Sequence, residues 1–153
     1  NENIMKRLLR EYQLDFVPLM RRETYAYVWK GHPLADRTEV SLEELREYPC
    51  VSFDQSNKDE FYLSEEALGN FSFDKLIKSN DRATSAEIIA ELNGYSIGTG
   101  IMADSVALKN DIVTIKLQEE DPLTIGYIIR QNHRLSEMGE LYIEELEKYK
   151  EKL

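Results

Sequence analysis

The chain has 153 residues, 42% of them hydrophobic and 31% charged, which suits one ordinary globular domain or two small lobes and excludes a disordered segment. Its formal net charge is −10 and no basic cluster is longer than Arg21-Arg22, so these residues offer no phosphate-binding face; a parent protein that binds DNA does so with other residues. Cys50 is the one cysteine, which excludes an internal disulfide and a cysteine-rich zinc site and fits a reducing compartment.

No window approaches the roughly 20 apolar residues that span a bilayer, and no signal peptide is legible. The chain opens on Asn1-Glu2-Asn3 without an initiator methionine and reads as a piece of something longer. Ile4, Met5, Leu8, Leu9 and Tyr12 recur at helical spacing over 3–12. Residues 14–20 read as a short strand, with Pro18 at an edge or end. Arg21-Arg22-Glu23 is expected to turn the chain into a second strand, Thr24 to Trp29. Ser41 and Glu44 have the spacing of a capping box, so a helix starts at 42 and Pro49 closes it.

"CVSF", 50–53, reads as a strand, and 54–60 as a polar loop. A helix over "FYLSEEALGNF" stops at Gly69-Asn70. Residues 73–79 alternate like a strand. Asn80 or Asp81 caps a helix that turns Ile88, Ile89 and Leu92 inward and ends at Asn93-Gly94. "YSIGTGIM" runs from a strand into a glycine turn. Residues 111–117 and 123–130 are strands. Leu135, Met138, Tyr142, Leu146, Tyr149 and Leu153 form the stripe of an amphipathic final helix capped by Ser136. Alternating helices and strands of this kind predict an α/β domain with a mostly parallel central sheet.

The ordered series "TyrAlaTyrValTrpLysGlyHisProLeuAla", "ValSerLeuGluGluLeu", "ProCysValSerPhe", "SerAsnAspArgAlaThrSer" and "AsnGlyTyrSerIleGlyThrGlyIle" resembles the effector-binding domain of LysR-type transcriptional regulators. The resemblance covers nearly the whole chain. It departs after Gly100-Ile101, where many relatives have a hydrophobic-Pro ending and this chain has Met102-Ala103-Asp104. It implies a two-lobed, periplasmic-binding-protein-like (type II) α/β fold whose first lobe is incomplete here. Residues 1–30 and 123–153 would be the remainder of that lobe and 31–122 the second lobe. Strands 24–30 and 123–130 would cross between them. The resemblance also implies a bacterial, cytoplasmic regulator that binds a small-molecule effector and assembles as a homodimer or homotetramer. Its DNA contact would run through an N-terminal winged helix-turn-helix that this chain lacks. A solute-binding protein of the periplasmic type shares the architecture, and a small α/β enzyme is the third alternative.

Catalytic chemistry is weakly supported. His32 sits against Pro33, which removes a backbone donor and favours extended geometry at His32, so His-Pro-Leu-Ala reads as a corner rather than a reactive group. Two histidines without a spaced third ligand make no zinc site. Adjacent carboxylates such as Glu43-Glu44 diverge on a helix surface. Gly94, Gly98 and Gly100 have the order Gly-x-x-x-Gly-x-Gly, which fails the nucleotide fingerprint. Cys50, between Pro49 and Val51, reads as core. No catalytic residue, metal or cofactor is expected.

Effector-binding candidates lie at strand ends, where open α/β sheets hold ligands. Ser52, Phe53, Asp54 and Gln55 follow one strand. Ser79, Asn80, Asp81 and Arg82 follow another and open a helix, where free backbone N–H groups suit a small carboxylate or amide. Capping by Asn80 or Asp81 accounts for the same residues without a ligand, and Asp81 would repel an anion. Gly98, Thr99 and Gly100 either line a cleft with backbone or simply make a tight turn.

Overall fold

Between Tyr25 and Trp29 every second side chain is closed off: Ala26 and Val28 are buried, while Tyr25, Tyr27 and Trp29 are half-buried on the other face. This is the two-residue period of a strand with a core on one side. The computed structural model describes residues 2–54, 72–102, 111–132 and 134–151. The helix expected near 61–71, Gln55, and His133 lie outside the described residues. In chain order the elements are α1 (Glu2–Glu11), β1 (Leu14–Arg22), β2 (Tyr25–Trp29), β3 (Glu39–Val40), α2 (Leu42–Leu45), β4 (Cys50–Phe53) and β5 (Leu76–Ser79). Then follow α3 (Arg82–Leu92), β6 (Ser96–Gly98), β7 (Ile112–Leu117), β8 (Leu123–Arg130) and α4 (Glu137–Lys150).

The chain divides into two compact units, one of residues 1–22 and 124–153 and one of residues 23–123. In the larger unit β2 is antiparallel to both neighbours, β7 and β6. β3 runs parallel to β7 and β4 parallel to β5. A parallel bridge from Cys50 to Tyr95 joins β4 to the start of β6, backed by Val51 N–H donating to Tyr95 O at 2.7 Å. The order is therefore β5-β4-β6-β2-β7-β3, with every strand but β2 pointing the same way. The sheet is mostly parallel, as the alternation of elements predicts, with β2 the one reversed strand.

The core of this unit is Ala26, Val28, Val40, Leu42, Leu45, Cys50, Tyr95, Ile115 and Leu117. Two caps set its helices. At α2, Ser41 Oγ accepts from Glu44 N–H at 3.3 Å and Glu44 Oε2 accepts from Ser41 N–H at 2.9 Å, completing the capping box. Donation from Ser41 N–H, assisted by the Ser41 hydroxyl, holds the Glu44 carboxyl below its usual range. The capping-box bonds turn Leu42 and Leu45, three residues apart, into the core. At α3, Asn93 takes the left-handed conformation (φ 49°) and Gly94 N–H donates to Ile89 O at 2.9 Å, a left-handed helix stop. Ile89 is buried and Ile88 half-buried, but Leu92, expected inward, is 53% exposed. The described residues leave about half of that side chain open.

In the smaller unit β1 and β8 form a two-stranded sheet. Gln131 N–H donates to Gln13 O at 2.8 Å and Gly126 lies against Val17, so the strands run antiparallel. Arg21 and Arg22, expected in a turn, belong to β1 because that strand runs on to Arg22. Gly126 has a packing reason: a Cβ there would lie 2.4 Å from Val17 O and 2.6 Å from the Phe16 ring. Ser136 caps α4 by accepting from Gly139 N–H at 3.2 Å. The sides of α4 that are partly covered are Leu135, Gly139, Ile143 and Leu146, whereas Met138, Tyr142 and Tyr149 of the expected stripe are exposed. Leu19 is the one buried apolar side chain among the described residues of this unit.

Candidate functional site

Strand direction brings three separated segments to one edge of the larger sheet. Phe53 at the end of β4 is paired with Ser79 at the end of β5. The parallel bridge between Cys50 and Tyr95 carries β6 to the same edge, ending at Gly98. Gly98 is in turn opposite Tyr25, the first residue of the reversed strand β2. Ser52–Asp54, Ser79–Arg82 and Gly98–Gly100 therefore share the carboxyl-terminal edge, the place where parallel sheets leave backbone groups and helix starts to a ligand.

The residues at this edge divide into those that build it and those that face outward. Ser79 is 8% exposed. Its Oγ donates to Asp81 O at 3.0 Å and accepts from Asp81 N–H at 3.3 Å, so the hydroxyl is used in making the turn. Asp54 N–H donates to Ser79 O at 2.8 Å and ties the two strand ends together. Asp81 is the N-cap of α3, and its Oδ1 accepts from Thr84 N–H at 2.7 Å. The backbone N–H of Thr84, assisted by that of Ala83, holds the Asp81 carboxyl below its usual range, so it stays charged. Capping thus accounts for Asp81, while Asn80 is exposed between the two turn residues.

Arg82 begins α3 with its guanidinium carbon 5.2 Å from the centre of the Phe53 ring. A cation is disfavoured at a helix start by the macrodipole; the aromatic face and the neighbouring Asp81 carboxylate offset that. Phe53 is itself partly exposed. The pair presents a flat aromatic surface and a planar five-donor cation, a combination suited to a small planar or carboxylated molecule.

The third segment is held by aromatic rings from β2. Gly100 has φ +75°, and a Cβ there would lie 2.6 Å from the Tyr25 ring. A Cβ at Gly98 would lie 2.8 Å from the Tyr27 ring. Tyr27 O–H donates to Ile101 O at 3.1 Å and Ile101 N–H donates to Thr99 Oγ1 at 3.3 Å. Glycine is required here for conformation and for close approach. Tyr25 and Tyr27 were not among the sequence candidates, although the alternation Tyr25-Ala26-Tyr27-Val28-Trp29 carries the signal: one set of side chains is core, and the other must rest on something.

At the opposite edge stand the residues that first suggested chemistry. His32 is 4% exposed, its Nδ1 accepting from Leu34 N–H at 3.0 Å and its Nε2 lying 3.0 Å from Asn93 O. Both ring nitrogens are bound to backbone, so His32 builds the corner. Cys50 is a buried thiol in the core. Among the described residues no group of three His, Cys, Asp or Glu side chains is placed to hold a metal ion.

A protein-family model described as the LysR substrate binding domain matches residues 4–150. A comparison with curated proteins found no match. Among solved structures, the chain is similar to HinK, a LysR family transcriptional regulator from Pseudomonas aeruginosa, at 16% identity and a TM-score of 0.63, over 90% of this chain and 48% of that one. It is similar to the effector binding domain of QuiR in complex with shikimate at 17% identity and a TM-score of 0.61, over 99% of this chain and 78% of that one. The reduced form of OxyR matches at 18% identity and a TM-score of 0.63, over 92% of this chain and 66% of that one. At these identities the likeness establishes the fold. The chain spans about half the length of HinK, at 48%.

Proposed function

The chain belongs to the LysR substrate binding domain family, and on that premise we propose that it is the effector-sensing part of a bacterial LysR-type transcription regulator, with its effector held at the edge formed by Ser52–Asp54, Ser79–Arg82 and Gly98–Gly100. The observation that carries the site is that three parallel strands end at one edge of the sheet, where Arg82 rests on Phe53. The chemistry is recognition rather than catalysis. In this reading the unit of residues 23–123 is the second lobe and the other unit is the remainder of the first. The exposure of Met5, Tyr12, Phe16, Ile128, Met138 and Tyr142 on that unit supports the assignment, since so many open apolar side chains on one small unit mark surface that further chain or a partner covers. Sensing then works by population shift: the effector binds two arrangements of the parent protein unequally and favours one. Homodimers or homotetramers of a cytoplasmic protein would pass that bias to DNA-binding modules outside these residues.

The test is a thermal-unfolding screen of the full-length protein against small carboxylic acids, amino acids and purines. A ligand at a hundred times its dissociation constant adds about 2.7 kcal/mol. The expected result is stabilisation by one chemical class, with the compound recovered unchanged. A stabilising compound that is chemically converted would overturn the reading in favour of an enzyme.

A further inference from the structure

The corner at the end of β2 and the C-terminal end of α3 are joined through one residue. Asn93, held in its left-handed cap, accepts from Trp29 Nε1–H through its side-chain oxygen at 2.7 Å. Its backbone oxygen faces His32 Nε2 at 3.0 Å, and the other ring nitrogen faces Leu34 N–H at 3.0 Å. The partners fix the tautomer. A backbone N–H can only donate, so Nδ1 carries no proton; a carbonyl can only accept, so Nε2 carries one. The neutral ring also rests on Tyr48, with centroids 4.4 Å apart.

A second proton has one place to go, Nδ1, and there it would point at the N–H of Leu34. Two donors would then face each other across 3.0 Å in a site that water barely reaches. The imidazolium is incompatible with the corner as built. We propose that His32 is a proton-sensitive latch, tying the end of β2 to the C-terminal end of α3 while neutral and releasing both when it takes up a proton.

Charged groups around the latch leave this logic intact. Lys30 pairs with Asp111, Arg37 with Glu44 and Arg46 with Glu43, all through exposed side chains. Asp36 and Glu47 on the flanking segments and Glu91 in the last turn of α3 are the other ionisable neighbours in sequence. Burial lowers the affinity of His32 for its proton and the Asn93 carbonyl partly opposes that; no charged side chain contributes. For a histidine whose folded affinity is lowered, the unfolded or opened form binds more protons. The latch is thus fully closed above about pH 6.5, the ordinary histidine value, and loses stability as the pH falls below it.

Two measurements on the full-length protein decide the matter. Long-range nitrogen–proton spectra at about pH 7.5 report the ring tautomer, with His32 assigned by its loss in His32→Asn. The proposal requires the Nε2–H form; an even mixture of tautomers overturns it. Hydrogen exchange, corrected for intrinsic rates, is then compared between about pH 7.5 and about pH 5.5, where linkage predicts a loss of protection of up to about tenfold. That loss is expected at 30–37 and 89–95 in the wild type. It is expected to be absent in His32→Asn, which keeps an acceptor for Leu34 N–H, and in His32→Gln, which keeps a donor for Asn93 O. Unchanged protection in the wild type, or the same loss in a folded variant, overturns the proposal.

Discussion

Leu45→Ala will cost the larger unit about 2–5 kcal/mol, the range for a fully buried leucine whose cavity cannot collapse. Leu45 has 0% exposure and belongs to the same core as Val28, Val40 and Ile115. Its direction is fixed by the Ser41–Glu44 capping box one turn earlier, so the site is pinned and the lost volume stays empty. Urea unfolding followed by tryptophan fluorescence reads the effect in the right place, because Trp29, the single tryptophan, lies in this unit. Leu92→Ala, at a side chain 53% exposed, is the matched control and is expected to shift stability by within about 0.5 kcal/mol. Equal costs for the two substitutions would contradict the assigned core.

Gly31→Ala will be the second severe change. A Cβ at this position would sit 2.0 Å from the far end of the Trp29 indole, so the ring must move. Moving it draws Nε1 away from Asn93 Oδ1, now at 2.7 Å. Overpacking of this kind costs about 1–3 kcal/mol, and the lost hydrogen bond adds about 0.5–1.5 kcal/mol. A double-mutant cycle checks the cause, read by circular dichroism because the fluorophore is removed. In a Trp29→Ala background the clash partner is gone, so Gly31→Ala is expected to cost much less than in the wild type. Equal costs in both backgrounds would show that the glycine is needed for its backbone rather than for the ring above it.

Local chemistry made much of the architecture legible. Ser41 with Glu44, Asn93 with Gly94, and Ser136 are short-range signals, since each cap is satisfied within five residues of itself. The bounds of β4 and β8 follow from apolar runs closed by Pro49, Pro122 and polar residues. What the sequence could not supply was covering. The α4 stripe has helical spacing, yet Met138 is 74% exposed and the covered side is turned toward Gly139 and Ile143; periodicity gives a helix an apolar face without saying what meets it. Leu92 illustrates the same limit.

The candidate edge was legible as three strand ends, but their adjacency depends on register. Phe53 opposite Ser79 and Gly98 opposite Tyr25 are pairings between residues 26 and 73 positions apart, beyond the reach of any local pattern. The stacking of Arg82 on Phe53 follows from that register. So does the role of Tyr25 and Tyr27, whose rings make Gly98 and Gly100 necessary. His32 was read as a corner from its proline neighbour, and the reason it is inert as a base needed the fold: one ring nitrogen is bound by Leu34 N–H two residues on and the other by the distant Asn93 carbonyl.

The most direct test of the central claim is hydrogen exchange of the full-length protein with and without the compound that stabilises it in the thermal screen. The account predicts added protection at 52–54, 79–85 and 96–101, the three segments of the strand-end edge. Protection gained elsewhere, with those segments unchanged, would contradict it.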